Sequence, residues 1–302
     1  MSTPTPPDAT VVTPSYNQGQ FIEETILSVL SQSGVSIEYL VMDGGSTDGT
    51  LDILKKYRGR LEYVSERDKG QTDAINKGFR RARGRILAYL NSDDTYLPGA
   101  VAKVVGFMDE HPEYAMAYGE GYHVDIHGKF MERYYTEPFD FRRLAEICFI
   151  CQPTVFLRRE VLSTVGYFDD TLDYCMDYDY WIRVAKRYSI GYLPAYLATS
   201  KLHDTGKTLS KRVEFHREIL ETVRRHYGHV PARWVGAYAH AFLGRYFSRD
   251  DRIRDLAFRI LVHAVFLMKY VALNKRPPFR DLMSRLYRRS PCGADSPEDL
   301  AI

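Results

Sequence analysis

Short apolar runs of strand length, each followed by a stretch of helical periodicity, constrain the fold of this chain more than any other feature. Ala9-Thr10-Val11-Val12-Thr13-Pro14 reads as the first strand, and Phe21 to Leu30 as a helix with Ile22, Ile26, Val29 and Leu30 at helical spacing. Ile37 to Met42 is a second strand, closing at Asp43 and the turn Gly44-Gly45-Ser46. Ser46 or Thr47 then caps a helix that runs to Tyr57. Leu61 to Ser65 is a third strand, Gln71 to Ala82 a third helix and Ile86 to Leu90 a fourth strand. Alternating β and α units imply a mostly parallel sheet with right-handed crossovers. Thr13, Asp43, Glu66 and Asp93 then leave that sheet at one edge, where open α/β sheets hold their ligands.

The fourth strand runs directly into Asn91-Ser92-Asp93-Asp94. Adjacent carboxylates repel, so two at a strand end are explained by a cation held between them and a phosphorylated ligand. The alternative is that Ser-Asp-Asp caps the next helix or turn. In the second half, Gln152 to Leu157 reads as a strand, Arg159 to Val165 as a short helix and Gly166 to Asp169 as a turn. Asp177 precedes a helix from Asp179 to Arg187 and is a candidate for its N-cap. Tyr196 to Leu202 reads as a strand that delivers His203.

Five segments, Thr13 to Asn17, Asp43 to Thr50, Asp68 to Gly78, Asn91 to Asp94 and Asp177 to Arg183, resemble in order and spacing the family-2 glycosyltransferases with the GT-A fold. The Asp68 to Gly78 run is most similar to the bacterial enzymes that build O-antigen and other surface polysaccharides. The resemblance implies a Rossmann-like nucleotide-binding α/β/α sandwich with a mostly parallel central sheet and a C-terminal helical extension. It also implies an inverting, metal-dependent transfer of a sugar from a nucleotide diphosphate to a saccharide or lipid-linked saccharide hydroxyl. The divalent metal would be Mn²⁺ or Mg²⁺. UDP- or dTDP-sugars are favoured and GDP-sugars come next, because Asp43 would accept from a ring N–H of the base.

Carried over residue by residue, Asp177 is the catalytic base, and Thr13, Pro14, Tyr16, Asp43, Arg67, Lys69, Asn76, Ser92, Asp93 and Lys207 hold the donor. Asp94 binds the metal directly, Asp93 binds the ribose or a metal-bound water, and His203 returns to the metal or the diphosphate. Two positions depart from the family pattern: Asn91 stands where many relatives have an acid, and Met176 where most have Glu. Two other readings are weighed against this one. A sugar-1-phosphate nucleotidylyltransferase is disfavoured because Ser15-Tyr16-Asn17-Gln18-Gly19 is not a Gly-rich phosphate loop with a following basic residue. A non-catalytic nucleotide-binding scaffold is opposed by the retained Asp94 and Asp177.

With 302 residues and 45% apolar content the chain can bury a large core. Residues 1–9 read as a Pro-rich disordered tail, 10–212 as the GT-A domain (10–119 for the nucleotide sugar, 120–212 for the acceptor) and 213–302 as a helical region. Lys and Arg number 41 against 39 acids, a balance that points to no partner class. Between 251 and 290, however, ten Lys or Arg stand against three acids, among residues such as Phe258, Ile260, Leu267 and Phe279. Arg259, His263 and Lys269 interrupt the apolar run Leu256 to Leu273, which argues against a spanning helix. Peripheral membrane contact, a packed core helix or a homodimer helix are the uses open to it; no nucleic-acid motif accompanies the charge. Cys148, Cys151, Cys175 and Cys292 form no disulfide or zinc framework. The tail has no export signal, so the expected location is cytoplasmic, peripheral on the inner face of the cell membrane.

Overall fold

The computed structural model describes residues 5–203, 211–247, 252–279 and 281. The chain divides into two compact units, Met1–Phe141 with Phe149–Asp204, and Arg142–Cys148 with Thr205–Ile302.

The first unit is built on one sheet. Strands β1 (Ala9–Ser15), β2 (Ile37–Asp43), β3 (Glu62–Ser65) and β4 (Ile86–Tyr89) are parallel, in the order β3-β2-β1-β4. The sheet continues through β8 (Phe156–Arg158), β6 (Tyr114–Val124), β9 (Ser189–Lys201) and β5 (Thr95–Tyr96), while β7 (Phe130–Arg133) pairs with β6 as a hairpin. Helices α1 (Ile22–Leu30), α2 (Thr50–Lys56), α3 (Gln71–Arg81) and α4 (Ala100–Glu110) connect the early strands. Later come α5 (Phe141–Leu144), whose residues 142–144 belong to the second unit, and then α6 (Val161–Val165) and α7 (Met176–Ala185).

Parallel strands covered on both faces must be apolar on both. Val11, Val41 and Ala88 face one core with Ile22, Ile26 and Val29 of α1 and Val101, Val104 and Met108 of α4. Val12 and Met42 turn to the other face, where they meet α3 so closely that only glycine fits at Gly78. The arrangement is the expected α/β/α sandwich with a mostly parallel sheet.

Several boundaries differ from the sequence reading, each for a local reason. Gln152–Thr154 is a 3-10 turn, and the strand starts only at Phe156. Pro153 brings no N–H to a ladder, and the Gln152 side chain is drawn to the Tyr89 carbonyl, 3.0 Å away. Helix α2 begins at Thr50 because Asp48 accepts the Thr50 N–H at 2.9 Å, whereas Ser46 and Thr47 are bound to Asp43 and Asn17. Asp177 lies inside the first turn of α7, whose N-cap is Cys175. Strand β9 starts at Ser189 and carries irregular register beside Gly119 and Glu120. Asp8 and Ala9 are ordered, against the reading of residues 1–9 as a disordered tail: Ser36 donates its N–H to Asp8 at 2.9 Å, and Ala9 opens β1. Residues 1–4 of that tail lie outside the described residues.

The second unit is helical: Arg212–Tyr227, Ala232–Gly244 and Arg252–Asn274. Ile219, Leu220, Val223, Trp234, Val235 and Ala239 are buried, and the Trp234 indole N–H donates to the Ala145 carbonyl at 2.9 Å. Cys148, Cys151 and Cys175 are thiols; Cys292 lies outside the described residues.

Glu38 ties the start of β2 to the turn before β4. Its carboxylate is buried and accepts from Thr10 Oγ1 at 2.6 Å, the Arg83 N–H at 2.7 Å and Arg83 Nε at 2.5 Å. Burial by itself pushes a carboxyl up, but these donors outweigh it and hold Glu38 below its ordinary 4.5. A depressed folded pKa means the stabilisation is present above the unfolded value and lost as pH falls through the folded one. Glu38→Gln is expected to lower unfolding free energy at pH 7 by about 1–3 kcal/mol. The gap from wild type should close as both are titrated below about pH 4, read by urea melts across pH. Equal stability at pH 7 rejects this role.

Candidate active site

The carboxyl ends of β1, β2 and β3 lie level, with Ser15 beside Asp43 and Asp43 beside Ser65. Backbone bonds lace the loops that follow: the Gly44 N–H donates to Ser15 O at 2.8 Å and the Glu66 N–H to Asp43 O at 2.9 Å. Asp43 is 2% exposed. Its Oδ2 accepts from the N–H groups of Gly45 (3.1 Å) and Ser46 (3.0 Å) and from Ser65 Oγ (2.6 Å), and its Oδ1 from Ser46 Oγ (2.5 Å). Gly45 holds φ at +84°, the left-handed backbone this turn requires, and a Cβ on Gly44 would stand 2.7 Å from Asp68 Oδ2. Each carboxylate oxygen offers two lone pairs; Oδ2 takes three of the four donors and Oδ1 one, so Oδ1 keeps room for one further donor. Asp43 is both the cap of its turn and an acceptor with one place open.

The other donor-site candidates divide. Thr13 is fully buried with Oγ1 3.1 Å from Tyr39 OH, so it turns into the core, and Pro14 is buried beside it. Tyr16 is 59% exposed. Arg67 is exposed on the loop after β3 and makes no ion pair among the described residues; Lys69 is exposed and its N–H donates to Asp73 at 3.1 Å. Asn76 is committed elsewhere: its Nδ2 donates to Phe168 O at 2.9 Å and its Oδ1 accepts the Phe168 N–H at 3.1 Å, which pins the Gly166–Asp169 turn. Ser92 is buried. Lys207 lies outside the described residues. Ser15 was not singled out in the sequence, yet its Oγ is buried without a partner among the described residues, at the end of β1 beside Asp43.

Asp93 lies in a tight turn that begins at Asn91, whose carbonyl accepts the Asp94 N–H at 3.2 Å, and the two carboxylates find different partners. Asp94 is 3% exposed; its Oδ1 accepts the Lys201 N–H at 3.0 Å and its Oδ2 accepts Asn91 Nδ2 at 3.2 Å. Burial, and then the charge of Asp93, push its carboxyl well above the usual range. Asp93 keeps 24% of its side chain exposed and meets His203, with 2.9 Å between Oδ2 and Nε2. The sequence reading gave Asp94 the metal and Asp93 a supporting place. In the structure Asp94 is committed to strand β9, and Asp93 and His203 are the pair turned to the edge.

Asn91 is a hub. Its Nδ2 also donates to Gln152 Oε1 at 3.0 Å, and its Oδ1 accepts from Gln71 Nε2 at 2.7 Å. Beside Gln71, Thr72 Oγ1 lies 2.6 Å from Met176 Sδ, which brings the start of α7 to the start of α3. Asp177 sits in that first turn, half-buried, with Oδ1 accepting the Tyr178 N–H at 2.7 Å. Asp179 is 2% exposed and is bound by Arg183 Nε at 2.7 Å; Arg183 donates onward to the carbonyls of Val165 (2.9 Å) and Tyr167 (2.8 Å). Asp179 is therefore structural, and Asp177 is the acid of the pair left half-buried. The sequence reading noted Asn91 only as a departure from the family pattern; its bonds to Gln71 and Gln152 carry no motif of their own.

Solved structures share this fold. S. aureus TarS 1–349 in complex with UDP-GlcNAc aligns with a TM-score of 0.59 and 20% identity, over 87% of this chain and 81% of that one. The mannosyltransferase PcManGT from Pyrobaculum calidifontis, in complex with GDP-Man and Mn²⁺, aligns with a TM-score of 0.56 and 17% identity, over 95% and 77%. The architecture is that of the GT-A glycosyltransferases. Among curated proteins, an uncharacterized glycosyltransferase of Rickettsia typhi is 25% identical over 215 residues. TuaG of Bacillus subtilis, a glycosyltransferase provisionally assigned to teichuronic acid biosynthesis, is 42% identical over 109, and Escherichia coli chondroitin synthase 26% over 183. These matches cover 67%, 34% and 60% of this chain, and 66%, 43% and 27% of the relatives. The family model for Glycosyl transferase family 2 matches residues 10–166, and the chain belongs to that family of transferases.

The two acids at the end of β4 are separable by experiment. In Asp94→Asn an amide NH₂ faces either the Lys201 N–H or Asn91 Nδ2, leaving a buried donor unsatisfied at a cost of about 1–3 kcal/mol. Melting should fall by roughly 2–4 °C per kcal/mol. Asp93→Asn should leave melting within about 1 °C but cut turnover by about 10²–10³. The opposite pattern in melting curves and initial rates would return the edge role to Asp94.

Proposed function

We propose that this protein is an inverting, metal-dependent glycosyltransferase that moves a sugar from a UDP- or dTDP-linked donor to a saccharide or lipid-linked saccharide hydroxyl in surface-polysaccharide biosynthesis. The observation that carries the reading is the Asp93–His203 pair, turned to the same edge of the sheet as the Asp43 turn. The relatives named for teichuronic acid and chondroitin support a polysaccharide product, and the neighbours bound to UDP-GlcNAc and GDP-Man support a nucleotide-sugar donor.

The donor atoms at the edge fit a hard divalent cation. One carboxylate and one imidazole converge, and among the described residues no third His, Cys, Asp or Glu joins them. Mg²⁺ and Mn²⁺ accept such sparse protein ligation when phosphate oxygens complete the shell. A bound metal would supply neutralisation of the leaving diphosphate. Asp93 and His203 would hold it, and Asp94 would support them from the end of β4, where it holds β9 by the Lys201 N–H.

This chain's own residues do the rest. The open acceptor site on Asp43 Oδ1 suits the N3–H shared by uracil and thymine, or the N1–H of guanine; cytosine has no ring N–H to offer. Arg67 is a cation without an ion pair among the described residues and suits the base carbonyl or the diphosphate. Asp177, in the first turn of α7, stands where the helix dipole favours negative charge. It takes the proton from the acceptor hydroxyl as that oxygen bonds to the anomeric carbon and the bond to the diphosphate oxygen breaks on the opposite face, inverting the centre. The reaction is placed in the cytoplasm, with the protein peripheral on the inner face of the cell membrane.

Two experiments test the reading. Asp177→Asn keeps the shape but cannot take the proton, so turnover should fall by about 10²–10⁴ while the thermal shift given by donor nucleotide is retained. An active Asp177→Asn variant would dismiss it as base. In a melting panel of UDP, dTDP, GDP, CDP and ADP, with and without Mn²⁺, a ligand at about a hundredfold its Kd adds about 2.7 kcal/mol, or roughly 5–10 °C. UDP or dTDP should give the largest, metal-dependent shift and CDP a poor one. No shift with any nucleotide counts against a functional donor site.

A further inference from the structure

The helix Arg252–Asn274 is packed on one side only. Phe258 and Tyr270 are 1% and 0% exposed; the Phe258 ring stands edge-on to His240, and Lys269 Nζ lies 5.0 Å from the centre of the Tyr238 ring. At the far end the Asn274 amide accepts the Val230 N–H at 2.7 Å and donates to the Val230 carbonyl at 3.0 Å. The opposite side is bare. Leu256, Ile260, Leu261, Leu267, Met268 and Val271 are 38% to 66% exposed. At 100° per residue they fall within an arc of about 140°, on a face about 22 Å long. No charged residue of the Leu256 to Val271 stretch falls in that arc: Arg259 and Lys269 lie outside it.

We infer that this helix lies flat on an anionic lipid surface, with the bare apolar arc against the acyl chains and the basic residues around it on the headgroups. The inference deepens the peripheral placement proposed above by naming the surface and its chemistry. Charge selects the occupant. Residues 251–290 hold ten Lys or Arg and three acids, while the chain as a whole holds 41 and 39, so this segment carries a positive excess that the chain as a whole does not. A second copy would bring the same excess against it and repel, whereas anionic headgroups match it. Lys275 and Arg276 directly follow the helix and are exposed, and Phe279 beyond them is 73% exposed, an aromatic of the kind that settles at the headgroup level. The helix is long and apolar enough to cross a bilayer by length and composition. Its packed face, held through Phe258, Tyr270 and Asn274, makes it a helix that lies on the surface instead.

The test uses the full chain and vesicles of phosphatidylcholine, alone or with about 30 mol% phosphatidylglycerol. Wild type should float with the anionic vesicles at low salt and dissociate as salt is raised to about 0.5 M, since screening removes the headgroup attraction. The Leu267→Glu/Met268→Glu variant should lose at least about tenfold in partitioning with an unchanged melting temperature, because both side chains are exposed. Lys275→Glu/Arg276→Glu should weaken binding and flatten its salt dependence. Failure of wild type to bind the anionic vesicles overturns the inference, and so does binding that ignores the Leu267/Met268 variant. A solution dimer that the same variant dissolves would overturn it in favour of a second copy. Nucleotide-induced melting shifts, measured without vesicles in every variant, keep this outcome separate from the fate of the transferase reading.

Discussion

A carboxylate taken out of water must find donors where it is put, and the site depends on how that demand is met at each acid. Asp43 meets it with backbone N–H groups and serine hydroxyls, Asp94 with a strand N–H and an amide, Asp179 with a guanidinium. Each solution draws separate pieces of chain together. Asp94 fastens β9 to the end of β4, and Asp179 fastens α7 to the turn after α6 through Arg183. The acids that anchor the scaffold are those with their oxygens taken up, and Asp93, on its more exposed side chain, is what the scaffold presents.

Much of the fold was legible because parallel strands and their crossover helices write two clear periods into the chain. The strand ends at Asp43 and at the Asn91–Asp94 segment were legible for the same reason, and the family resemblance reached the same residues. Direction was not legible. Two adjacent acids at a strand end do not say which is taken into the scaffold and which is presented. That depended on Lys201, 107 residues away from Asp94 in sequence, offering its N–H to one of them. The direction of Thr13 and Asn76 was illegible for a related cause. Both are polar residues within family motifs, and both turn to buried partners, Tyr39 and Phe168, that no local pattern announces. Gln152 read as strand because its apolar successors did, although Pro153 interrupts the ladder.

Asn91 illustrates how a departure from a family pattern acquires a local sense. In this chain its amide donates to two oxygens, Asp94 Oδ2 and Gln152 Oε1, and accepts from Gln71. A carboxylate at the same place would have nothing to donate and would face an oxygen on each side. The amide thus joins the end of β4 to the start of α3, and Thr72 carries the connection to the first turn of α7, where Asp177 sits. The residues proposed for the donor and for the acceptor are linked by short side-chain bonds within one unit.

Strand β9 pairs with β6 from Tyr114 opposite Ser189 to Val124 opposite Lys201. The partner strand spends 11 residues on this span and β9 spends 13. The surplus is taken up where the register shifts, beside Gly119, Glu120 and Gly121, and the strand still ends with the Lys201 N–H on Asp94 and His203 beside Asp93. An insertion or deletion among those irregular positions meets no continuous ladder and can be absorbed there, whereas one in the regular stretch from Ala198 to Lys201 would shift both contacts at once.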